Sequence, residues 1–167
     1  AKAGHVLYPG NDYTGHLGIV DIGIPGFIRD GKNIKLSLAE KKEVAALFPD
    51  RNFNSHKGSF GHLAILAGST GKTGAAALCA NAAARCGTGL VTLGVASTLN
   101  PALESQVTEI MTQPLEDNGN AFLTDTSLDD ILRLTEGKQA LAAGPGIGTH
   151  ENTKKLIKTR IEKIDLS

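Results

Sequence analysis

After residue 61 the chain alternates regularly between short apolar runs of strand length and stretches with helical spacing. His62-Leu63-Ala64-Ile65-Leu66-Ala67 reads as a buried strand and Gly68-Ser69-Thr70-Gly71-Lys72-Thr73-Gly74 as a glycine-rich turn. Ala75 to Cys86 reads as a helix rich in alanine, the residue of highest helix propensity and little bulk. Gly87-Thr88-Gly89 closes it, and Leu90-Val91-Thr92-Leu93-Gly94-Val95 is a second strand, which together make the βαβ unit of a parallel sheet. A weaker helix near Asn100 to Ser105, a strand around Val107 to Met111 and a helix over Ser127 to Leu134 follow. Gln139 to Ala143 is a further strand, running into Gly144-Pro145-Gly146-Ile147-Gly148-Thr149 and a last helix from about Glu151 to Lys163. That helix places Leu156, Ile157, Ile161 and Ile164 on one side. Twice, then, a buried strand enters a glycine-rich turn and a helix, so the expected class is α/β with a mainly parallel sheet.

The first third is less regular. Residues 1–25 read as turn, strand, turn: Tyr8-Pro9-Gly10 and Asn11-Asp12 are turn material, and Leu17 to Ile22 is a short apolar run. Arg29 to Lys35 is a charged linker. Ser37-Leu38-Ala39-Glu40 has capping-box spacing and predicts a helix to about Leu47, stopped by Pro49. Arg51 to Gly61 is a polar loop. At the other end Asp165-Leu166-Ser167 follows the last helix where a crossover helix would deliver a strand, so the chain is expected to be part of a longer polypeptide.

Composition narrows the chemistry. With 41% apolar residues and 20 glycines there is enough for a core of small aliphatic side chains. Seventeen basic residues balance 17 acidic ones, against the clustered positive charge that a general polyanion binder needs. Two Tyr, five Phe and no Trp leave few platforms for stacking single-stranded nucleic acid. No apolar stretch approaches the ~20 residues of a membrane span. Cys79 and Cys86, seven residues apart on one helix, would lie about 10 Å apart, too far for a disulfide. They read as buried or half-buried thiols of a reducing compartment, with the cytoplasm as the expected location.

The glycine turns invite two motif readings, and both fail on one residue. Gly71-Lys72-Thr73 matches the end of a P-loop, but the required first glycine falls on Leu66, inside a strand. Gly144-Pro145-Gly146 begins like a dinucleotide fingerprint, but the last glycine falls on Thr149. What survives is that both turns lie at carboxyl ends of parallel strands and open helix N-termini, where amides and the helix dipole favour an anionic group. The alternative is that the glycines only permit tight strand-to-helix turns. His5, His16, His56, His62 and His150 show no metal-ligand spacing. His56-Lys57-Gly58 either places a cation near the first strand or is a solvated loop, Lys72 reads as exposed, and Asp129-Asp130 complements a helix dipole. No nucleophile–base constellation follows from spacing.

Several of these segments together resemble the ADP/ATP-dependent NAD(P)H-hydrate dehydratases. The likeness is carried by His56-Lys57-Gly58-Ser59-Phe60-Gly61-His62, Leu63 to Ala67, Gly68-Ser69 and Thr73-Gly74-Ala75-Ala76. Arg85-Cys86-Gly87-Thr88-Gly89-Leu90-Val91 and Gly144-Pro145-Gly146-Ile147-Gly148 continue it in the family's order. Leu7-Tyr8-Pro9-Gly10 and Asp21-Ile22-Gly23-Ile24-Pro25 look like the end of the epimerase domain in bifunctional members. The resemblance implies a ribokinase-like three-layer α/β/α fold, of which the chain would hold the amino-terminal half. Residues 1–25 would be the tail of an epimerase-type domain, 26–36 a linker and 37–167 the incomplete dehydratase domain.

The implied reaction repairs hydrated NADH or NADPH by removing water from the nicotinamide ring, with ADP or ATP and Mg2+ as cofactors. The expected partners are that substrate and either further copies or the remaining part of the same protein, with no nucleic acid and no membrane. By resemblance Gly74, Ala75, Ala76, Gly144, Gly146 and Gly148 line the substrate pocket. The family's Lys-Gly-x-x-Thr segment and its Gly-x-Gly-Asp motif with the catalytic carboxylate are absent, so no catalytic residue is assigned and these residues alone are expected to be inactive. A ribokinase-like small-molecule kinase and a non-catalytic nucleotide-binding fragment are the alternatives.

Overall fold

The first fifty residues carry many apolar side chains but little regular structure. A computed structural model describes residues 2–29, 36–48, 50–159, 164 and 166. Two units divide the chain, Ala1–Asp50 and Arg51–Ser167. In the first, two short helices, α1 (Gly26–Arg29) and α2 (Lys41–Ala45), follow 3-10 turns at Ala3–His5 and Gly10–Tyr13. The expected strand in the Leu17–Ile22 run is not formed: Ile19, Val20 and Ile22 are exposed, and no described strand pairs with them. The expected capping box is displaced by three residues. Glu43, not Glu40, reaches back, its carboxylate accepting the Glu40 N–H at 3.0 Å, while residues 36–40 stay non-helical. Leu36 and Leu38 line a groove with Val6, Leu7 and Ile19. Residues 37–50 fall in the first of the two units. Most of the linker, 30–35, and Pro49 lie outside the described residues.

In the second unit the apolar runs become four strands, β1 (His62–Leu66), β2 (Leu90–Ala96), β3 (Met111–Leu115) and β4 (Ala140–Ala143), in the order β3-β2-β1-β4. Every neighbouring pair is parallel, with Leu66 opposite both Gly94 and Ala143. Helices α3 (Thr73–Arg85), α4 (Asn100–Glu104), α5 (Leu128–Thr135) and α6 (Glu151–Thr159) follow the four strands. The period of two along a strand sends alternate side chains to opposite faces, and here both faces are covered. Ile65, Val91, Leu93 and Val95 pack against Ala76, Ala77 and Ala80 of α3 and Leu103 of α4. Ala64, Leu66, Ala96 and Leu115 pack against Ile131 and Leu134 of α5 and Leu156 of α6. The result is the three-layer α/β/α arrangement.

Two sequence expectations move. The third strand begins at Met111 instead of ending there, because Val107 and Ile110 are buried in the approach to it. Pro114 is tolerated because β3 is an edge strand with a ladder on one side only. Cys79 is half-buried as expected, but Cys86, at the end of α3, is exposed; both are free thiols. No described helix is long and apolar enough to cross a membrane.

The His56–His62 segment sits at the amino-terminal rim of the sheet. His56 Nδ1 accepts the Gly58 N–H at 3.1 Å, capping a 3-10 turn at Lys57–Phe60. The Arg51 guanidinium lies 4.2 Å over the Phe60 ring and donates to the Gly87 carbonyl at 2.8 Å. The Gly89 and Leu90 amides donate to the Phe60 and Gly61 carbonyls, and a Cβ on Gly89 would overlap the Lys57 carbonyl.

Candidate functional site

Because β1 and β4 are adjacent and parallel, the two glycine turns that leave them emerge side by side on the carboxyl-terminal rim. They are laced together there. The Gly144 N–H donates to the Leu66 carbonyl at 3.0 Å, the Gly68 N–H to the Pro145 carbonyl at 2.9 Å and the buried Ser69 hydroxyl to the Gly146 carbonyl at 2.7 Å. Gly146 has φ +67°, and a Cβ there would lie 2.8 Å from the Lys72 carbonyl oxygen and 2.9 Å from Ala75 Cβ. No residue with a side chain fits that crossing without moving the Gly71–Gly74 turn.

The six residues singled out from the sequence separate into two kinds. Gly74 is exposed and Ala75 half-buried in the first turn of α3, and Gly144, Gly146 and Gly148 are half-buried in the facing turn. Ala76 has no exposed surface; it packs beneath the turn, 3.2 Å from where a Gly68 Cβ would stand. Ile147 is likewise turned into the core. Lys72 precedes α3 and is exposed. His56 and Lys57, at the start of β1, belong to the opposite rim.

The rim is electrostatically prepared for a negative group. The 13-residue α3 has no side-chain cap at its start and no acidic residue in its first turn. The Ala75 N–H already donates to the Lys72 carbonyl at 3.2 Å, so the Thr73 and Gly74 N–H groups are the donors that this positive end of the helix dipole can offer a ligand. Small residues on both turns let a flat or anionic group approach the backbone. Among the described residues no three His, Cys, Asp or Glu side chains converge to hold a metal ion.

A third loop, absent from the sequence expectations, completes this rim. It follows β3, and its Asp117 is 1% exposed. One Asp117 carboxylate oxygen accepts the Ser97 hydroxyl at 2.8 Å and the Gly119 N–H at 3.1 Å; the other accepts the Ala121 N–H at 2.8 Å. Burial works against the charge on this carboxylate, but these donors and Thr98 outweigh it and hold its pKa below the usual range. The Ala121 carbonyl in turn accepts the Thr70 N–H at 3.1 Å and the Thr70 hydroxyl at 3.3 Å. Just beyond, the rings of Phe122 and His150 stack tilted with centroids 4.2 Å apart. The only sequence signal of this loop is the turn tripeptide Asp117-Asn118-Gly119. Asp130, which the sequence reading gave to the α5 dipole, also accepts the Glu116 N–H at 2.7 Å and pairs with Arg133, ordering the far side of the loop.

Residues 63–165 match the Carb_kinase family model, described as NAD(P)H-hydrate dehydratase. The bifunctional NAD(P)H-hydrate repair enzyme Nnr of Moorella thermoacetica is 33% identical over 165 residues, 99% of this chain and 31% of that one. The ATP-dependent (S)-NAD(P)H-hydrate dehydratase of Entamoeba histolytica is 29% identical over 130 residues, 75% of this chain and 41% of that one. The chain thus spans about a third of the length of the bifunctional relatives it matches. Among solved structures, the ADP/ATP-dependent NAD(P)H-hydrate dehydratase of Bacillus subtilis, co-crystallized with ATP/Mg2+, superposes with a TM-score of 0.56 at 26% identity, covering 72% of this chain and 40% of that one. A ribokinase-like superfamily protein of Enterococcus faecalis, 20% identical with a TM-score of 0.56 over 70% of this chain and 37% of that one, shares the fold.

Proposed function

The chain belongs to the NAD(P)H-hydrate dehydratase family, and from that premise we propose that its paired glycine turns hold hydrated NADH or NADPH for a nicotinamide-nucleotide repair enzyme. The observation that carries this reading is the meeting of the two turns at the uncapped start of α3. There Gly74 and Ala75 face Gly144, Gly146 and Gly148, with Ala76 as the packed floor beneath. In this reading the amides of the α3 first turn take the pyrophosphate of the dinucleotide, and the glycines leave room for the nicotinamide ring. The residues fit such a group because the helix start offers donors and its first turn carries no acidic residue.

What ADP or ATP with Mg2+ supplies in this reading is a phosphoryl group for the ring hydroxyl, converting a poor leaving group into a good one. No side chain of the chain is assigned to that transfer, since the family's Lys-Gly-x-x-Thr and Gly-x-Gly-Asp segments do not occur in it. The chain's own part is to bind and orient. We place the reactive carboxylate in the rest of the domain, with which β4, whose only described neighbour is β1, would associate along its free edge. Association between copies of the chain is the other use of that edge. A water-soluble coenzyme as substrate and two free thiols favour the cytoplasm.

Titrating hydrated NADPH into the chain tests the reading. The amide resonances of Gly74, Ala75, Gly144, Gly146 and Gly148 should move while those of the 56–61 segment stay in place; a silent rim overturns it. In an assay with ADP or ATP and Mg2+, the reduced-nicotinamide absorbance should return only when the remaining part of the domain is present. Turnover by the 167 residues alone would overturn the placement of the carboxylate.

A further inference from the structure

The glycine turn after β1 is held from two sides, and only one of them belongs to the paired turns. On the β4 side it is laced to Pro145 and Gly146. On the other side its single attachment among the hydrogen bonds described runs through Thr70, whose N–H and hydroxyl both donate to the Ala121 carbonyl. Ala121 is an unusual residue to offer that carbonyl. Its φ is +57°, a region that a residue with a Cβ adopts only under constraint. The constraint is visible: the Ala121 N–H donates to Asp117 at 2.8 Å, and Asp117 is anchored in turn by Ser97 at 2.8 Å, in the turn after β2. A chain of contacts therefore leads from the end of β2 through the buried carboxylate and Ala121 to Thr70, three residues before α3 begins.

We propose that Asp117 is a positioning residue of the candidate site: by fixing the Ala121 carbonyl it sets where the Gly71–Gly74 turn and the first amides of α3 stand. Resting on the reading of this rim as the dinucleotide site, the proposal deepens it by adding a third loop to its support. The carboxylate suits the task because both of its oxygens face donors: Ser97 and Gly119 on one, Ala121 on the other. An amide in its place would fail whichever way it turned, since its NH2 would point at the Gly119 N–H in one orientation and at the Ala121 N–H in the other. Asp117 lies too deep to meet a ligand itself, with 1% of its surface exposed.

Hydrogen exchange on the chain carrying Asp117→Asn reads this directly, independently of any activity. The Thr70 amide should exchange roughly tenfold faster or more, as expected when a charge-assisted anchor is lost, with Gly71 to Gly74 following. Amides in the middle of β1 and β2 should keep their parent rates, and Asn118→Gly, which relaxes a neighbouring φ of +49° but keeps the carboxylate, should leave Thr70 unchanged. Should Asp117→Asn fail to fold, Ser97→Ala strips a side-chain donor from the same carboxylate, and Thr70 exchange should rise selectively in it. A parent rate at Thr70 in the folded variant overturns the proposal, as does an equal rise in Asn118→Gly. In the active protein Asp117→Asn should raise KM for hydrated NADPH several-fold with a smaller change in kcat; KM unchanged while Thr70 exchange rises would also overturn the proposal. If the parent neither binds nor dehydrates hydrated NADPH, the functional reading fails, and the exchange result still decides whether Asp117 positions the turn.

Discussion

Ser69 and Gly146 carry the contact on which the rim depends, one as donor and the other as the residue without a side chain. Ser69 is buried and its hydroxyl has a 2.7 Å bond to the Gly146 carbonyl, so Ser69→Ala should lower stability by about 1 kcal/mol and leave the secondary structure intact in a urea titration. Gly146→Ala should cost more, about 1–3 kcal/mol, because it places a Cβ at φ +67° against backbone rather than against a movable side chain. It should also abolish the resonance shifts that hydrated NADPH produces in the parent, whereas Ser69→Ala should only weaken them. Titrating groups set the pH response. Asp117 and Asp130 both have folded pKa values below the ordinary carboxylate range, so the unfolded chain binds more protons in that window. The stability they contribute is complete above about pH 4 and is lost as pH falls through their folded values. His62 is held low by burial and then by Lys138, and its Nε2 lies 2.7 Å from the Thr92 hydroxyl. Its folded value also lies below the unfolded one, so its part is complete above about pH 6.5 and declines as pH falls below it. Urea midpoints measured across pH should therefore fall in two stages, and His62→Gln should remove the upper one.

At the scale of elements, the βαβ unit shows why small residues recur. Ala76, Ala77 and Ala80 let α3 lie close on Ile65 and Val95, and Gly89 lets β2 start under the Lys57 carbonyl. Gly89→Ala should destabilise by upwards of about 2 kcal/mol, since the clash is with backbone, and should raise exchange at the Leu90 amide that donates to Gly61. The two motifs His56–His62 and Gly87–Gly89 are thus one structural feature at the amino-terminal rim, closed by Arg51 over Phe60. A strand from Val107 follows from local pattern, but Val107 and Ile110 are placed by a buried cluster with neighbours distant in sequence.

At the scale of the whole molecule, the sheet, both its apolar faces and the rim lie within Arg51–Ser167. A chain of residues 51–167 should therefore unfold cooperatively and keep the exchange pattern of β1 and β2; a loss of cooperativity would show that the first unit is needed for the core. The sequence by itself determined the strands at His62–Leu66 and Leu90–Ala96, the alanine helix between them and the two glycine turns, because period, propensity and turn chemistry are local properties of the chain. It also determined that Leu66 and Thr149 bar the two standard phosphate-loop motifs. Only the tertiary structure decided that β4 lies beside β1, and so that the two turns meet, since strand order depends on which faces bury one another. It alone sent Ala76 to the core, left Leu17–Ile22 without a strand partner among the described residues and joined Asp117 to Thr70 through Ala121, because Ser97, the Asp117–Ala121 loop and Thr70 stand far apart along the chain and are brought within hydrogen-bonding reach by the packing of the turns after β2, β3 and β1.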